Sequence, residues 1–443
     1  MIDISKGLKT TLFLIYIGLL FSCSNQEQEN HNPTVEVRYQ DGKAMLYRHG
    51  EPYSIKGAAG TEHLDKVALY GGNSIRTWSL HDADRLLDEA HELGLTVTLG
   101  LEIGRQAWGY NFNYWKFWEV NKKIEELRPI IEKYKDHPAL LMWGVGNELQ
   151  FFGGGKRFLI FHTIDKVAKM IKEVDPNHPT MTAVDVFSKK NKIGSYRYIM
   201  PNIDILGFNA FKTLGNMYDR VYEKKGWGKA YILSEWGPNG HWEVTDTEWG
   251  APKELKNSEK REMMEKYWNN INKDTTLFLG SYAFYWGFKH EATHTWFSLF
   301  SKDGSETASV NFLKYAWSGE RAENLAPNVN DLSIETNQGL VNDNVYLESN
   351  QIYNAIADTD DSEGDSLRYK WEIRPEENYF VEIYSNDFEI KNYNMEHLIQ
   401  KVDENTIQFI APKDEGPYRI FVFAFDGNGN VASYNIPFYV IQK

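Results

Sequence analysis

The sequence predicts a (β/α)8 barrel followed by an all-β sandwich. Up to Ala322, eight short apolar runs alternate with amphipathic stretches, which is typical of repeated strand–helix units around a parallel sheet. After Leu325, helical periodicity gives way to short alternating runs separated by Asp, Asn and Gly. A barrel needs on the order of 250 residues, and Tyr53 to Ala322 supplies them within a 443-residue chain that is long enough for two domains.

The N-terminus is typical of a lipoprotein signal peptide. An apolar run from Thr10 to Phe21 follows two lysines and is too short to span a bilayer. It leads into Leu20-Phe21-Ser22-Cys23, which resembles the bacterial lipobox. Cys23 is the single cysteine, which excludes an intrachain disulfide and a cysteine-based metal site. The alternative is a stray buried thiol. We expect residues 1–22 to be removed and Cys23 to be lipidated, anchoring the protein to the outer membrane on the cell surface or the periplasmic face.

Two short segments precede the barrel. Residues 23–34 are too poor in apolar side chains to fold and are predicted to be a flexible tether. Within them, Gln26-Glu27-Gln28-Glu29 resembles the surface-export signals of Bacteroidetes lipoproteins. From Val35 to Tyr53 the pattern alternates and reverses at Asp41-Gly42 and His49-Gly50, so we predict a β-hairpin over the barrel floor.

The apolar runs are predicted to be the eight barrel strands. In chain order they are Ser54 to Ala58, Ser74 to Trp78, Thr96 to Ile103, Leu140 to Gly146, Met181 to Val186, Ile205 to Phe211, Tyr231 to Trp236 and Ser281 to Trp286. Predicted helices between them include Asp82 to Leu93, Tyr114 to Tyr134, Lys156 to Val174 and Ser258 to Asn272, each with a start or stop signal. A doubly wound sheet is the competing fold, but Gly57-Ala58-Ala59-Gly60 does not match its phosphate-binding turn. Residues 35–325 are therefore assigned to hairpin and barrel.

Residues 326–443 are predicted to form an immunoglobulin-like β-sandwich. The predicted strands are Val345 to Leu347, Gln351 to Ala357, Leu367 to Ile373, Thr406 to Ile410, Tyr418 to Phe425 and Val431 to Val440. The stretch from Ala357 to Leu367 resembles loops of immunoglobulin-like, cadherin-like or PKD-like modules of secreted bacterial enzymes. Its carboxylates suit either calcium or a solvated acidic loop, and we assign no metal site.

The amino-acid composition limits the kinds of ligand that this protein is expected to bind. The formal net charge of −14 argues against nucleic acid or any other polyanion. Aromatic residues are abundant, with 14 Trp, 26 Tyr and 24 Phe. Flat aromatic faces bind the apolar faces of sugar rings, although a large aromatic core would need the same residues.

Two glutamates lie at the C-terminal ends of predicted barrel strands. Glu148 closes the fourth run after Asn147, and Glu235 closes the seventh. Catalytic groups of barrels lie at the C-terminal ends of strands. Two convergent carboxylates there can cleave an acetal, because one donates a proton while the other attacks or stabilises the sugar carbon. Each motif alone could be a helix cap or a loop; their joint placement at strands four and seven favours catalysis.

Asn-Glu at strand four and Glu at strand seven resemble the hallmark of glycoside hydrolase clan A, the retaining (β/α)8 families. The resemblance covers about Tyr53 to Ala322. It implies that Glu148 is the acid/base, Glu235 the nucleophile and Asn147 the residue that bonds the sugar 2-hydroxyl. The chemistry it implies requires no metal or organic cofactor.

The resemblance also assigns residues at three other strands. Arg76, ending strand two, matches the arginine that holds the nucleophile ionised, and Trp286, ending strand eight, matches the floor beneath the cleaved sugar. Taken singly, Arg76 could form a structural ion pair and Trp286 could belong to the core. Many members place a Tyr after strand six to bond the nucleophile, whereas this chain has Phe211. We expect Asn209 or Tyr282 to supply that hydrogen bond.

Loops after strands three and seven are rich in aromatic residues, including Trp108, Trp115 and Trp236. Aromatics beside an active-site mouth suggest extra sugar subsites and hence a polysaccharide, although packing on the barrel rim explains part of them. The layout resembles surface or periplasmic enzymes of Bacteroidetes glycan-utilisation systems, whose other proteins are possible partners. It is most similar to the endo-β-1,3-glucanases of glycoside hydrolase family 158. β-Mannan, β-galactan, mixed-linkage glucan, glucanosyl transfer and a non-catalytic glycan-binding role remain alternatives.

Overall fold

The computed structural model describes residues 33–104, 112–150, 157–186, 193–223, 225–376 and 395–442. Thr34–Lys443 form one compact unit. Within it, eight strands close into a parallel barrel, and two further sheets follow in the C-terminal part of the chain. The predicted fold class is therefore confirmed.

A three-stranded antiparallel sheet covers the floor of the barrel. It consists of β1 (Val35–Gln40), β2 (Lys43–Arg48) and β3 (Glu51–Tyr53). Its backbone bonds Asn177 and Thr276, and the Arg48 side chain bonds the Pro138 carbonyl. These partners immediately precede barrel strands, so the sheet lies at the end opposite to the strand C-termini. The third short strand extends the predicted hairpin.

The barrel strands follow one another in the order of the chain, and the last pairs with the first. They are β4 (Ile55–Ala59), β5 (Ser74–Arg76), β6 (Thr96–Leu101), β7 (Leu140–Asn147), β8 (Thr180–Asp185), β9 (Ile205–Asn209), β10 (Tyr231–Trp236) and β11 (Phe278–Phe284). Every residue of β6, β8, β9 and β10 is buried. Such strands are apolar on both faces because one faces the barrel interior and the other faces the helices.

Helices surround the barrel. They are α1 (Leu64–Leu69), α2 (Ala83–Glu92), α3 (Phe117–Tyr134), α4 (Arg157–Val174), α5 (Tyr196–Ile199), α6 (Met217–Tyr222), α7 (Asn257–Ile271) and α8 (Ala308–Ser318), with 3₁₀ turns at Ile193–Ser195 and Lys212–Asn216. The helix α2 shows the general pattern: Leu86, Leu87 and Ala90 are buried on one face, while its charged residues lie on the other. None of the helices in the described ranges is both long and apolar enough for a membrane crossing.

The C-terminal sandwich contains two sheets around an apolar core. Its strands are β12 (Asn328–Thr336), β13 (Gly339–Val341), β14 (Val345–Glu348), β15 (Ile352–Asp360), β16 (Arg368–Pro375), β17 (Ile399–Asp403), β18 (Thr406–Ile410), β19 (Gly416–Phe425) and β20 (Val431–Ile441), and a 3₁₀ turn spans Glu396–Leu398. One sheet has the order β13-β12-β15-β18-β17 and the other β14-β20-β19-β16. Pairing is antiparallel except between β14 and β20. The sequence pattern missed β12, β13 and β17.

Candidate active site

Glu235 lies at the C-terminal end of β10 and is 7% exposed. Its Oε1 accepts two hydrogen bonds, from Arg76 Nη1 at 2.8 Å and from the indole Nε1 of Trp78 at 2.7 Å. Arg76 also donates to the Ser234 carbonyl at 2.9 Å. The two donors therefore hold one oxygen of the Glu235 carboxylate in a fixed position.

Glu148 directly follows β7 and is partly exposed. Its backbone is left-handed, with φ of 50°, two residues after Gly146 with φ of 73°. This irregular turn ends the strand, and Asn209 Nδ2 donates to Glu148 Oε1 at 2.9 Å. The second carboxylate therefore stands at the same end of the barrel with a neutral amide as a hydrogen-bond donor.

An amide and guanidinium chain connects the two glutamates. Asn209 Nδ2 also contacts Asn147 Oδ1 at 3.1 Å, and that oxygen accepts a hydrogen bond from Arg76 Nη2 at 2.6 Å. The Ser234 hydroxyl donates to Asn209 Oδ1 at 2.7 Å. Because the amide oxygen is occupied by Ser234, the NH₂ group of Asn209 must face Asn147 and Glu148. Side chains from four strands, β5, β7, β9 and β10, are thus joined in one hydrogen-bonded group at the barrel mouth.

Trp78 reaches Glu235 because the chain after β5 lies against β6. A side chain at Gly100 would stand 2.6 Å or less from the Trp78 backbone, and the Gly100 N–H donates to Thr77 Oγ1 at 3.0 Å. The Trp78 ring stacks on Tyr285 with centroids 5.9 Å apart. Burial, followed by the nearby Glu62 carboxylate, raises the pKa of Tyr285 to about 12, so its phenol stays neutral. These two rings form an aromatic wall beside Glu235.

The geometry contradicts the expectation that Asn209 or Tyr282 replaces the missing tyrosine as a hydrogen-bond donor to Glu235. Tyr282 is fully buried inside the barrel and bonds the hydroxyls of Ser74 at 2.9 Å and Thr98 at 2.6 Å. Asn209 donates to Glu148 and not to Glu235. The bond to Glu235 comes from Trp78. Phe211 is buried and packs edge-on against Phe284, with centroids 6.0 Å apart.

Two tryptophans predicted to bind substrate are fully buried and do not line the mouth. Trp236 is 0% exposed and stacks on Trp268 of α7. Successive strand side chains face opposite sides, so an inward Glu235 directs Trp236 toward the helices. Trp286 is also 0% exposed, packs on Trp317 of α8 and donates to the His63 carbonyl. Both belong to the layer between barrel and helices.

The remaining predicted positions fall elsewhere. Trp115 is 63% exposed, just before α3. Trp108 and Cys23 lie outside the described residues. Three residues of the site were not predicted from the sequence: Trp78, Ser234 and Tyr285. One signal was available for Trp78, which lies two residues after Arg76 and so shares its face in an extended segment.

One group of carboxylates in the described part of the chain has a spacing that suits a metal ion. Oxygens of Asp361, Asp365 and Asp426, in loops of the sandwich, lie within 4.8 Å of one another. Asp365 Oδ2 already accepts from Asn428 Nδ2 at 2.7 Å, and Asp426 Oδ1 accepts from the Asn428 N–H at 2.7 Å. The cluster could hold a cation, but intrachain amides satisfy much of it.

Residues 71–269 match the family model described as "Glycosyl hydrolases family 2, TIM barrel domain". Among curated proteins, mannan endo-1,4-beta-mannosidase F of Aspergillus clavatus is 31% identical over 87 residues, which are 18% of this chain and 20% of that protein. The probable mannan endo-1,4-beta-mannosidase F of Aspergillus oryzae is 25% identical over 163 residues, 30% of this chain and 34% of that protein. The chain thus aligns with 34% or less of the length of these relatives.

Solved structures share the fold. A Bifidobacterium dentium beta-glucuronidase has a TM-score of 0.52 at 16% identity, covering 65% of this chain and 49% of that one. Bacteroides uniformis beta-glucuronidase 2 has a TM-score of 0.50 at 15% identity, covering 92% of this chain and 48% of that one. At such identities the likeness establishes the fold.

Proposed function

We propose that this chain, which contains a glycosyl hydrolase family 2 type TIM-barrel domain with the clan A fold, is a retaining β-glycoside hydrolase. Glu148 is the acid/base and Glu235 the nucleophile. The observation that carries the proposal is the connected group at the barrel mouth, in which Arg76, Asn147 and Asn209 join two strand-end carboxylates.

The two carboxylates have environments suited to different tasks. Glu235 is buried and accepts two donors on Oε1, one of them cationic. In the described residues no hydrogen bond reaches its Oε2, so this oxygen is available to attack the anomeric carbon. Glu148 is more exposed, which allows a leaving group and water to reach it and exchange protons with it.

In the first step, Glu235 Oε2 forms a bond to the anomeric carbon while the glycosidic C–O bond breaks and the leaving oxygen takes the proton of Glu148. In the second step, Glu148 removes a proton from water, whose oxygen bonds the anomeric carbon as Glu235 leaves as a carboxylate. Two inversions give net retention. The mechanism requires no group beyond the two carboxylates and water.

The aromatic surface supports a polysaccharide substrate. Trp115, Phe117 and Trp118 are 63%, 66% and 57% exposed at the start of α3, which follows β6 and therefore lies at the same end of the barrel as Glu235. Trp242, after β10, is 41% exposed. Exposed rings at this end can stack on successive sugars. An endo-β-1,3-glucanase remains our first candidate from sequence, and β-mannan is the second because the curated relatives named above are mannanases.

A polysaccharide screen tests the proposal. Laminarin, β-mannan, β-galactan and mixed-linkage glucan are incubated with the wild type, Glu148→Gln and Glu235→Gln, and products are identified by size and linkage. We expect one polysaccharide to be shortened, with the β-anomer formed first by NMR, and each variant to lose several orders of magnitude in rate. Glu126→Gln, on the exposed surface of α3, is the matched control and should retain full activity.

The screen also separates the alternatives. Longer products indicate transglycosylation, and binding without any cleavage indicates a glycan-binding protein. With an activated aryl glycoside, azide should partly rescue Glu148→Ala and yield a retained glycosyl azide, which Glu235→Ala should not form. Near wild-type activity of both Gln variants would refute the assignment.

We further propose that Cys23 is lipidated and holds the enzyme on the outer membrane, facing the surface or the periplasm. The support is the lipobox-like Leu20-Phe21-Ser22-Cys23 after a short apolar run. When expressed in a bacterium that lipidates lipoproteins, the wild-type protein should partition into the detergent phase. The Cys23→Ser variant should partition into the aqueous phase. Equal partitioning of both would contradict the anchor.

A further inference from the structure

We propose that the C-terminal sandwich is part of the catalytic unit, because Arg419 and Asn435 are positioning residues for the loops that follow β10 and β11. This inference rests on the proposed function. The anchor network is defined as the five buried polar residues that join these loops to the sandwich. Its members are Glu254, Lys260, Thr295, Arg419 and Asn435.

Asn435 of β20 is the centre of the anchor network. It is 2% exposed, and its Nδ2 donates to Glu254 Oε2 at 2.7 Å and to Thr295 Oγ1 at 3.3 Å. Glu254 lies in the segment after β10, and Thr295 lies in the segment after β11. One amide from the sandwich therefore contacts both loops that leave the nucleophile side of the barrel.

Arg419 of β19 holds that amide and contacts the first loop directly. Its Nη1 donates to Asn435 Oδ1 at 2.6 Å, and its Nη2 donates to the Pro252 carbonyl at 2.8 Å. Nε donates to Glu376 Oε2 at 2.9 Å. With its oxygen occupied by Arg419, the Asn435 amide must direct its NH₂ group to the loops.

The barrel side of the network is equally constrained. Lys260 of α7 is 6% exposed, pairs with Glu254 at 2.5 Å and donates to the Thr295 carbonyl at 2.7 Å. Burial opposes ionisation of Glu254, but the Lys260 charge and the hydrogen bonds outweigh it, so its pKa is lowered. A buried network of this kind has few alternative arrangements, because each broken bond leaves an unsatisfied polar group.

Short contacts lead from the network to Glu235. The residue after Thr295, Trp296, donates to the Asn239 carbonyl at 3.0 Å and so joins the two loops. Further along the same loop, the Phe297 carbonyl accepts the Tyr285 N–H at 3.0 Å. Tyr285 stacks on Trp78, which bonds Glu235. The position of the nucleophile's indole donor is thus connected to a sandwich side chain.

The test compares Asn435→Ala with Ile436→Ala in the full-length protein. Ile436 is the next residue of β20 and is 1% exposed in the sandwich core, so its truncation destabilises the sandwich without removing a loop contact. For both variants, kcat and KM are measured on an aryl β-glycoside well below the unfolding midpoint. Hydrogen–deuterium exchange is measured for residues 237–256 and 289–300.

We expect Asn435→Ala to lower kcat about fivefold to twentyfold, with faster exchange in both loops. Ile436→Ala should keep kcat within twofold of the wild type, even when its unfolding midpoint falls as far as that of Asn435→Ala. Arg419→Met should behave like Asn435→Ala. Equal kcat in the two β20 variants, or unchanged loop exchange in Asn435→Ala, would overturn the proposal. Hydrogen exchange requires no turnover, so a wild type without glycosidase activity would refute the function while the loop result still decides the anchoring.

Discussion

The hydrogen bond from Trp78 to Glu235 offers a specific test of the catalytic geometry. Trp78→Phe removes the Nε1–H that lies 2.7 Å from Glu235 Oε1 and keeps a ring that can stack on Tyr285. In the proposed mechanism Glu235 acts as a carboxylate before the covalent bond forms and again as the intermediate breaks down, and a hydrogen bond to a carboxylate is stronger than one to the ester of the intermediate. The variant should therefore slow the second chemical step more than the first.

The size of the effect follows from the charge on the acceptor. A hydrogen bond to a charged group contributes about 1.5–3 kcal/mol. If about half of the carboxylate charge has returned in the transition state of the second step, about 0.8–1.5 kcal/mol is lost, which is roughly a 4- to 12-fold decrease in rate. Arg76 still donates to the same oxygen at 2.8 Å, so activity should decrease without disappearing.

Stopped-flow kinetics with a dinitrophenyl β-glycoside measures this directly. Trp78→Phe should show a burst near one equivalent followed by a slower steady state, with kcat and KM decreasing together. Trp268→Phe, which loses an indole that packs behind β10, is the matched control and should behave like the wild type. An unchanged kcat of Trp78→Phe, or a kcat that falls without a burst and with unchanged KM, would refute this role of the Trp78 indole.

Three further predictions follow from buried polar groups. Asn209→Ala removes the donor to Glu148, and kcat/KM should fall at least about tenfold; a change below twofold would contradict the contact chain. Tyr282→Phe should lower the free energy of unfolding in urea by about 1–3 kcal/mol with kcat within twofold, whereas a large loss of kcat would restore its role at the substrate. Burial lowers the pKa of His294 from 6.5, so near and below that pH the folded state binds fewer protons than the unfolded state, and stability falls as the pH drops. Between pH 7 and pH 5, His294→Gln should therefore lose less thermal stability than the wild type. Equal losses in the two proteins would exclude this contribution.

The barrel could be predicted because its strands are buried on both faces. The seventh run was predicted as Tyr231 to Trp236, which are its observed limits, and the fourth differs by a single residue at its end. A continuous apolar run leaves little freedom in where a predicted strand begins and ends. By contrast, β12 carries polar residues at exposed positions, such as Asn330 and Glu335, and its alternation is too weak to identify a strand from sequence.

The two glutamates were predicted to converge because they close the fourth and seventh strands of a barrel, whereas Arg76 and Asn147 were assigned through the resemblance to clan A. Beyond the end of a strand, the sequence could not predict whether a side chain points toward the barrel mouth or toward the helices. Trp286 lies past the end of β11, where the alternation of faces no longer applies, and it packs under α8. Likewise, the sequence did not reveal that Trp78 rather than Tyr282 bonds Glu235, since that depends on how closely Gly100 lets the β5 segment approach.

The left-handed backbone of Glu148 implies that the site opposes the stability of its own scaffold. A φ of 50° suits glycine or asparagine better than glutamate, and a non-glycine residue there costs on the order of 1 kcal/mol. Glu148→Gly or Glu148→Asn should therefore yield an inactive protein that unfolds at a higher temperature than the wild type. Selection for thermal stability alone would favour one of these residues and so remove the proposed proton donor.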